Sequence, residues 1–321
     1  MAQARVARFQ LTPARRRKRL LKSLLKNIWD SRYMYLLLVP GLLFFAFFRY
    51  VPMYGIQLAW KEFAANLGVA GSPWIGWENF RFIFAEADFW NSLRNTLIIA
   101  GMQLIFVFPF PIILAILFNE VRQKKTKRVM QIILTFPHFL SWVILSSILT
   151  NLLGNSGVVN NIIVAMGGEK VNFLMNKGIF RWLLIFSLLW KESGWNAILY
   201  MATITAIDPA LYEAATIDGA NRWHRIRYIT WPGISTIVTA TFILRIGSIM
   251  DAGYMQVLNL YNPAVYEVGD ILDTYIYRIT FEKAPDYGVS TAVGMFKGVV
   301  NAVLMLSAEV VSRKFNGEGL F

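Results

Sequence analysis

Six long apolar segments divide this chain, and they constrain its fold more than any other feature. An α-helix of about 20 apolar residues crosses the hydrocarbon core of a bilayer. Backbone groups in lipid must also satisfy their hydrogen bonds within the segment, which favours helices. We therefore expect an all-α, polytopic transmembrane protein with six spans. These lie at about 33–60, 96–118, 130–153, 179–207, 232–252 and 287–311.

The distribution of charged residues predicts the orientation of the spans in the membrane. Only 16% of the residues are charged, against about 25% in soluble domains. The net charge is +13, which on its own would suggest a nucleic-acid partner. However, the basic residues concentrate in 1–33, 119–128 and 207–232, while acids concentrate in the intervening loops. This is the positive-inside pattern, so we expect both termini in the cytoplasm and no nucleic-acid partner.

The same distribution defines the expected domains. A basic cytoplasmic segment covers 1–33, a six-span domain covers 34–312, and a cytoplasmic tail covers 313–321. The basic segment includes a run of five cations at 15–19 that could contact anionic lipid. The sequence contains no Cys, which excludes disulfides and thiolate metal sites, and we expect no metal site in the chain.

The polar segment 207–233 separates two apolar blocks and carries strong local helix signals. Asp208 is a good N-cap, and Pro209 suits the first helical position. Gly219 favours a left-handed stop, and Asp218 or Gly219 could open the next helix. We expect a short helix, a turn and a second helix at the membrane surface, with Trp231-Pro232 at the start of the fifth span.

The residue pattern of this loop resembles the EAA loop of ABC importer permeases. It has Glu-Ala-Ala, a following Gly and a later Pro, with Trp231 where the family usually has Leu. Residues 77–80, followed by 89–96, resemble the entry to the core spans of sugar-type permeases. Segments 257–263, 265–270 and 273–278 are similar to the polysaccharide and lipo-oligosaccharide permeases. The resemblance implies a type I ABC importer permease fold and a loop that couples to an ATPase. The implied coupling residues are Tyr212, Glu213, Ala214, Ala215, Asp218, Gly219 and Arg222.

The resemblance also implies the rest of the assembly. It would contain a second permease, expected to be a different chain, two ATPase subunits and an extracytoplasmic solute-binding protein. The substrate would be an oligo- or polysaccharide, with acidic ones such as alginate among the candidates. This sequence has no Gly-Lys dipeptide and hence no phosphate-binding loop. We therefore expect no catalytic residue here, with ATP and Mg bound by the partner ATPase in the inner membrane of a bacterium.

Polar residues inside the predicted spans indicate where a substrate could pass. Such residues are costly in lipid and usually face protein or water. Aromatic faces could stack on sugar rings, and cations could bind an acidic sugar. Internal ion pairing, for example between Lys191 and Asp251, is the alternative. The candidate path residues are Trp190, Lys191, Glu192, Trp195, Asn196, Arg245, Asp251, Lys297 and Asn301.

Two small residues on the sixth span, Gly294 and Gly298, predict close helix packing within the chain, with a subunit contact as the alternative.

Two other function classes compete with this interpretation. A secondary transporter driven by an ion gradient would use carboxylates deep in the spans, and Glu192 and Asp251 are available. The chain shows no internal repeat, which such transporters usually have. A membrane scaffold or sensor would not need so many interior polar residues. Dependence of uptake on ATP or on an ionophore, and ATPase activity stimulated by substrate, separate the three.

Overall fold

The structure, a computed structural model, describes residues 29–121, 123–282 and 285–316. Their regular structure is helical, apart from one antiparallel bridge between Lys61 and Trp74. Most of the basic segment 1–33 and part of the tail 313–321 lie outside the described residues. Among the described residues, those up to Gln57 and those from Leu58 onward form two separate compact units.

Twelve helices of the described residues account for the candidate spans and the main loops, and they are numbered in chain order. They are α1 Arg32–Trp60, α2 Glu78–Ala85, α3 Ala87–Glu120, α4 Lys124–Thr135, α5 Trp142–Leu153, α6 Val158–Ala165, α7 Lys177–Thr205, α8 Pro209–Ile217, α9 Arg222–Gly247, α10 Tyr254–Leu260, α11 Leu272–Tyr277 and α12 Tyr287–Asn316.

Five stretches of the described chain are long and apolar enough to cross a membrane. They are α1, α3, α5 with α6, α9, and Tyr287–Lys314 of α12. The fourth predicted span, 179–207, corresponds to α7, which has 29 residues and so is about 43 Å long. Its middle carries Lys191, Glu192 and Asn196, which lower its hydropathy. Length, together with burial of Lys191, explains how this polar helix can serve as a span.

The predicted third span, 130–153, is interrupted rather than continuous. Helix α4 ends in a 3-10 turn at Phe136–Phe139, and α5 starts only at Trp142. Pro137 lies in this turn and cannot donate a helical hydrogen bond. Ser141 then caps α5, its Oγ accepting from Ile144 N at 3.3 Å. The sequence is therefore continuously apolar here although the helix is interrupted.

The fifth span begins at Arg222, earlier than the predicted start near Pro232. The cap of α9 is Asn221, whose Oδ1 accepts from His224 N at 2.9 Å, so the expectation that Asp218 or Gly219 opens this helix is wrong. Pro232 lies inside the helix because a π-helical segment, Ile226–Thr230, precedes it. The wider turn accommodates the missing donor of Pro232.

The helices of residues 58–316 pack at close range where small residues allow it. At Gly194 of α7, a Cβ would lie 2.1 Å from the carbonyl oxygen of Leu134 in α4. The two backbones therefore touch at this crossing. By contrast, a Cβ on Gly294 or Gly298 would meet no described atom within 4 Å, so the predicted intrachain packing on that face is wrong.

A buried ion pair anchors the segment between α9 and α12 onto α3. Asp270 accepts hydrogen bonds from Arg278 at 2.6 Å, from Ser92 at 2.9 Å and from Thr274 at 2.8 Å. Burial raises the pKa of the Asp270 carboxyl, and the charge of Arg278 opposes this. Since removing one member of a buried pair leaves an uncompensated charge, this contact holds the segment that follows α10 against α3.

Candidate functional site

The loop between α7 and α9 is a rigid turn built by local signals. Asp208 Oδ1 accepts from Ala210 N at 2.9 Å and caps α8, with Pro209 in the first turn. Gly219 has a φ of +78°, and Ala220 N donates to Ala215 O at 2.8 Å. This is the geometry of a helix that ends on a left-handed glycine. Helix α8 therefore stops at a defined residue, as the sequence predicted.

Side chains fasten α8 against the start of α9. The hydroxyls of Tyr212 and Thr230 lie 2.9 Å apart, and Thr230 is 2% exposed. Arg225 donates to Thr216 Oγ1 at 3.3 Å. Arg222 lies 3.8 Å from Glu120 at the end of α3. These contacts tie α8 to the start of α9, and the start of α9 to the end of α3.

The outer face of the loop is exposed and partly apolar. Glu213, Ala214, Asp218 and Gly219 are exposed, and Ala215 is half-buried. Glu213 and Asp218 form no ion pair with the described residues. Ile217 is 86% exposed, which sequence reasoning missed although it is an apolar residue on a short polar loop. The loop therefore presents the apolar side chain of Ile217 and the carboxylates of Glu213 and Asp218 at its surface.

A cleft of about 440 Å³ opens between α3, α7 and α9. It brings together four of the predicted path residues: Glu192, Trp195, Asn196 and Arg245. Across one part of it, Tyr200 Oη and Thr241 Oγ1 lie 2.9 Å apart and join α7 to α9. The cleft is also lined by Val107, Phe108, Pro111, Leu188, Leu199, Leu244 and Ser248.

Glu192 is held by two basic groups outside the cleft lining. Its Oε2 lies 2.8 Å from His138 Nδ1, and its Oε1 lies 3.5 Å from Lys191 Nζ. The imidazole of His138 also stacks on Trp195, with the ring centroids 4.5 Å apart. Sequence reasoning missed His138 because it lies on the interrupted third span, far from α7 along the chain.

Lys191 is 5% exposed, and its ammonium group binds the backbone where the helix is interrupted between α4 and α5. Its ammonium donates to His138 O at 2.6 Å and to Leu140 O at 2.9 Å. These carbonyls lie where the helix is interrupted and lack helical partners. Lys191 therefore lies behind the cleft wall and not in the cleft.

Arg245 reaches the cleft from α9 and is oriented by Gln103 of α3. Its Nη2 donates to Gln103 Oε1 at 2.5 Å. Gln103 is 1% exposed and donates in turn to Ala252 O at 3.2 Å. Gln103 is a second residue that sequence reasoning missed, since a lone amide in an apolar segment has no motif around it.

The remaining predicted path residues lie elsewhere. Lys297 pairs with Asp251 at 2.6 Å and with Asp273 at 2.8 Å, so the suggested pairing of Lys191 with Asp251 is wrong. Burial raises the pKa of the Asp273 carboxyl, and Lys297 opposes this. Asn301 Oδ1 accepts from Met250 N at 3.2 Å. Trp190 is 46% exposed and does not line the cleft.

Comparison with known sequences identifies similar proteins over most of the chain. The family described as "Binding-protein-dependent transport system inner membrane component" matches residues 107–317. The polygalacturonan/rhamnogalacturonan transport system permease protein YteP of Bacillus subtilis (strain 168) is 42% identical, over 94% of each chain. Protein LplB of the same organism is 42% identical, over 91% of this chain and 92% of that protein.

Comparison with solved structures gives the same result. A chain of a bacterial ABC transporter that imports the acidic polysaccharide alginate superposes with a TM-score of 0.85. It is 39% identical, and the match covers 92% of this chain and 99% of that chain. A second structure is of a bacterial alginate transporter in complex with its periplasmic protein, which carries an alginate pentasaccharide. Here the TM-score is 0.84 and the identity is 38%.

Proposed function

Since the chain belongs to the family of binding-protein-dependent transport system inner membrane components, we propose that it forms half of the pathway of an ATP-driven saccharide importer. One observation carries this proposal. Helix α7 lines the cleft through Glu192, Trp195 and Asn196 and leads directly into the loop that carries α8. A displacement of α8 therefore acts on the same rigid helix that shapes the cleft.

The cleft suits a sugar in chemistry and size. Trp195 offers an aromatic face, Asn196 offers an amide, and Glu192 offers a carboxylate that can accept from hydroxyl groups. Six of the other lining residues are apolar, as is common in small-molecule sites. The two relatives named above for polygalacturonan and alginate support a saccharide substrate for this chain as well.

Coupling is assigned to the loop 207–233. Glu213, Ala214, Asp218 and Gly219 face outward and are free to contact an ATPase. Tyr212 ties α8 to α9, and Arg222 ties the start of α9 to the end of α3. The partner ATPase would bind ATP and Mg and hydrolyse the nucleotide. This chain would contribute no catalytic residue, and its role would be to change the accessibility of the cleft.

The assembly would contain a second, different permease, two ATPase subunits and an extracytoplasmic solute-binding protein. The related alginate transporter, solved with its periplasmic protein, supports the last of these. We place residues 34–312 in the bacterial inner membrane, with 1–33 and 313–321 in the cytoplasm and the basic segment near anionic lipid. The positive-inside distribution supports this orientation.

Uptake into proteoliposomes that hold the complete importer tests the function. We expect oligosaccharide uptake to require ATP and the binding protein, to stop with a non-hydrolysable ATP analogue, and to be insensitive to an ionophore. Uptake that needs no ATP and disappears with an ionophore would instead favour the secondary transporter. An ATPase activity that neither binding protein nor saccharide changes would favour the scaffold.

A further inference from the structure

Three of the candidate path residues are cations, and they differ in their partners. Lys191 lies 3.5 Å from Glu192, and Lys297 lies within 2.8 Å of both Asp251 and Asp273. Arg245 forms no ion pair with the described residues, and its one side-chain hydrogen bond there is to the neutral Gln103. Glu192 and Asp251, whose charges act on Arg245, are both bound to other cations.

The guanidinium of Arg245 has no ion pair among the described residues, which indicates a site for an anionic group of the substrate. A charge in a span is costly unless it is paired or faces a water-filled cavity. Arg245 is half-buried and lines the cleft, so an anion can reach it. A guanidinium offers two parallel N–H donors to a planar carboxylate. The matching ligand group is therefore a carboxylate.

The negative charge of Glu192, in the same cleft, does not prevent a carboxylate from binding to Arg245. Its two oxygens face His138 Nδ1 and Lys191 Nζ, so Lys191 offsets its charge from behind the wall. The remaining charge in the cleft is that of Arg245. A carboxylate can approach Arg245 while Glu192 accepts from sugar hydroxyls, which leaves each group with a distinct task.

We propose that Arg245 binds a carboxylate of an acidic saccharide and that Gln103 holds the guanidinium in position. The proposal rests on the saccharide-importer function and specifies its substrate class, a uronate-bearing oligosaccharide. Gln103 is a positioning residue: it is buried, accepts from Arg245 and donates to Ala252 O. Trp195 supplies an aromatic face in the same cleft for the ring of the sugar.

The test compares an acidic sugar with its neutral counterpart. Uptake of trigalacturonate and of its methyl ester is measured in proteoliposomes with the full importer, each sugar with saturating binding protein. The variants are Arg245→Gln, Arg245→Lys and Gln103→Leu. Arg81→Gln is the matched control, because it removes one exposed positive charge outside the cleft. Basal ATPase activity and co-purification of the subunits are recorded for each variant.

We expect Arg245→Gln to lower uptake of the acid about tenfold or more and of the ester less than about twofold, the size expected for a lost charge-assisted hydrogen bond. Arg245→Lys should retain more acid uptake, since it keeps the charge. Gln103→Leu should lower the ratio of acid to ester uptake, which loss of folding alone would not do. Arg81→Gln should change neither sugar.

Unchanged acid uptake in Arg245→Gln would overturn the proposal, as would equal loss of both sugars. Loss of subunit co-purification in this variant would also overturn it, since Arg245 would then hold the subunits together. These results are distinct from failure of the function. If the wild type imports acid and ester equally with ATP, only the carboxylate site fails; if it imports no saccharide, the importer function fails.

Discussion

Two lysines on α7, one buried and one exposed, have different roles that single substitutions can distinguish. Lys191 is 5% exposed and holds Glu192 and two carbonyls, whereas Lys177 forms a surface pair with Glu267. We expect Lys191→Met to lower the stability of the complex by about 3 kcal/mol, because Glu192 and the carbonyls lose their partner. Lys177→Met should have a small effect. Thermal unfolding of the purified complex measures the stability of each variant. Similar decreases in melting temperature for Lys191→Met and Lys177→Met would contradict these separate roles.

The surface pair also predicts a dependence on pH. Lys177 lowers the pKa of the Glu267 carboxyl through a hydrogen bond and its charge. A carboxylate with a lowered pKa stabilises the fold above its unfolded pKa of about 4.3, and this is lost as the pH falls through the folded pKa. Glu267→Gln should therefore lower the melting temperature slightly at neutral pH, and the difference should shrink as the pH falls below about 4.3. A difference that persists in acid would contradict the prediction.

Residues with local signals were predictable from the sequence, and residues with distant partners were not. Asp208, Pro209 and Gly219 act on their immediate neighbours, so the end and the start of α8 follow from the sequence. His138 and Gln103 gain their roles from side chains on other helices. Helix rotation, which the sequence does not encode locally, decides which polar side chains meet.

At the scale of elements, the crossing of α4 and α7 depends on Gly194. A Cβ there would lie 2.1 Å from Leu134 O, and a backbone atom cannot move aside as a side chain can. We expect Gly194→Ala to destabilise the complex by about 1–3 kcal/mol, as overpacking usually does. Gly298→Ala, whose Cβ meets no described atom within 4 Å, should be neutral or stabilising. If both variants changed the melting temperature in the same direction, the proposed role of Gly194 in the crossing of α4 and α7 would be contradicted.

Hydropathy predicted where the spans lie better than where their helices begin and end. The apolar run at 130–153 contains Pro137, and hydropathy does not register the turn it causes. The segment Arg222–Arg225 is polar and was therefore predicted to belong to a surface helix separate from the fifth span, although it is the first turn of α9. Both differences arise because apolar character and helical backbone are separate properties.

For the whole molecule, orientation can be tested directly because the chain has no cysteine. Lys125, in the first turn of α4, and Lys170, in the loop after α6, are exposed, and we place them on opposite sides of the membrane. With right-side-out vesicles and an impermeant maleimide, Lys170→Cys should be labelled at once and Lys125→Cys only after permeabilisation. The reverse order would contradict the orientation derived from the charges.

The most direct test of the central claim, that the loop 207–233 couples ATP hydrolysis to saccharide transport, uses one glycine. Gly219 has a φ of +78°, which proline cannot adopt, so Gly219→Pro should displace the end of α8. Gly167→Pro, at a φ of +83° in another loop, is the matched control for backbone strain. The measurement is ATPase activity of the reconstituted complex with and without binding protein and saccharide.

We predict that Gly219→Pro assembles and keeps its basal ATPase activity but loses stimulation and uptake, while Gly167→Pro is stimulated like the wild type. Normal stimulation and transport in an assembled Gly219→Pro complex would contradict the coupling role and would reduce the loop to a connector.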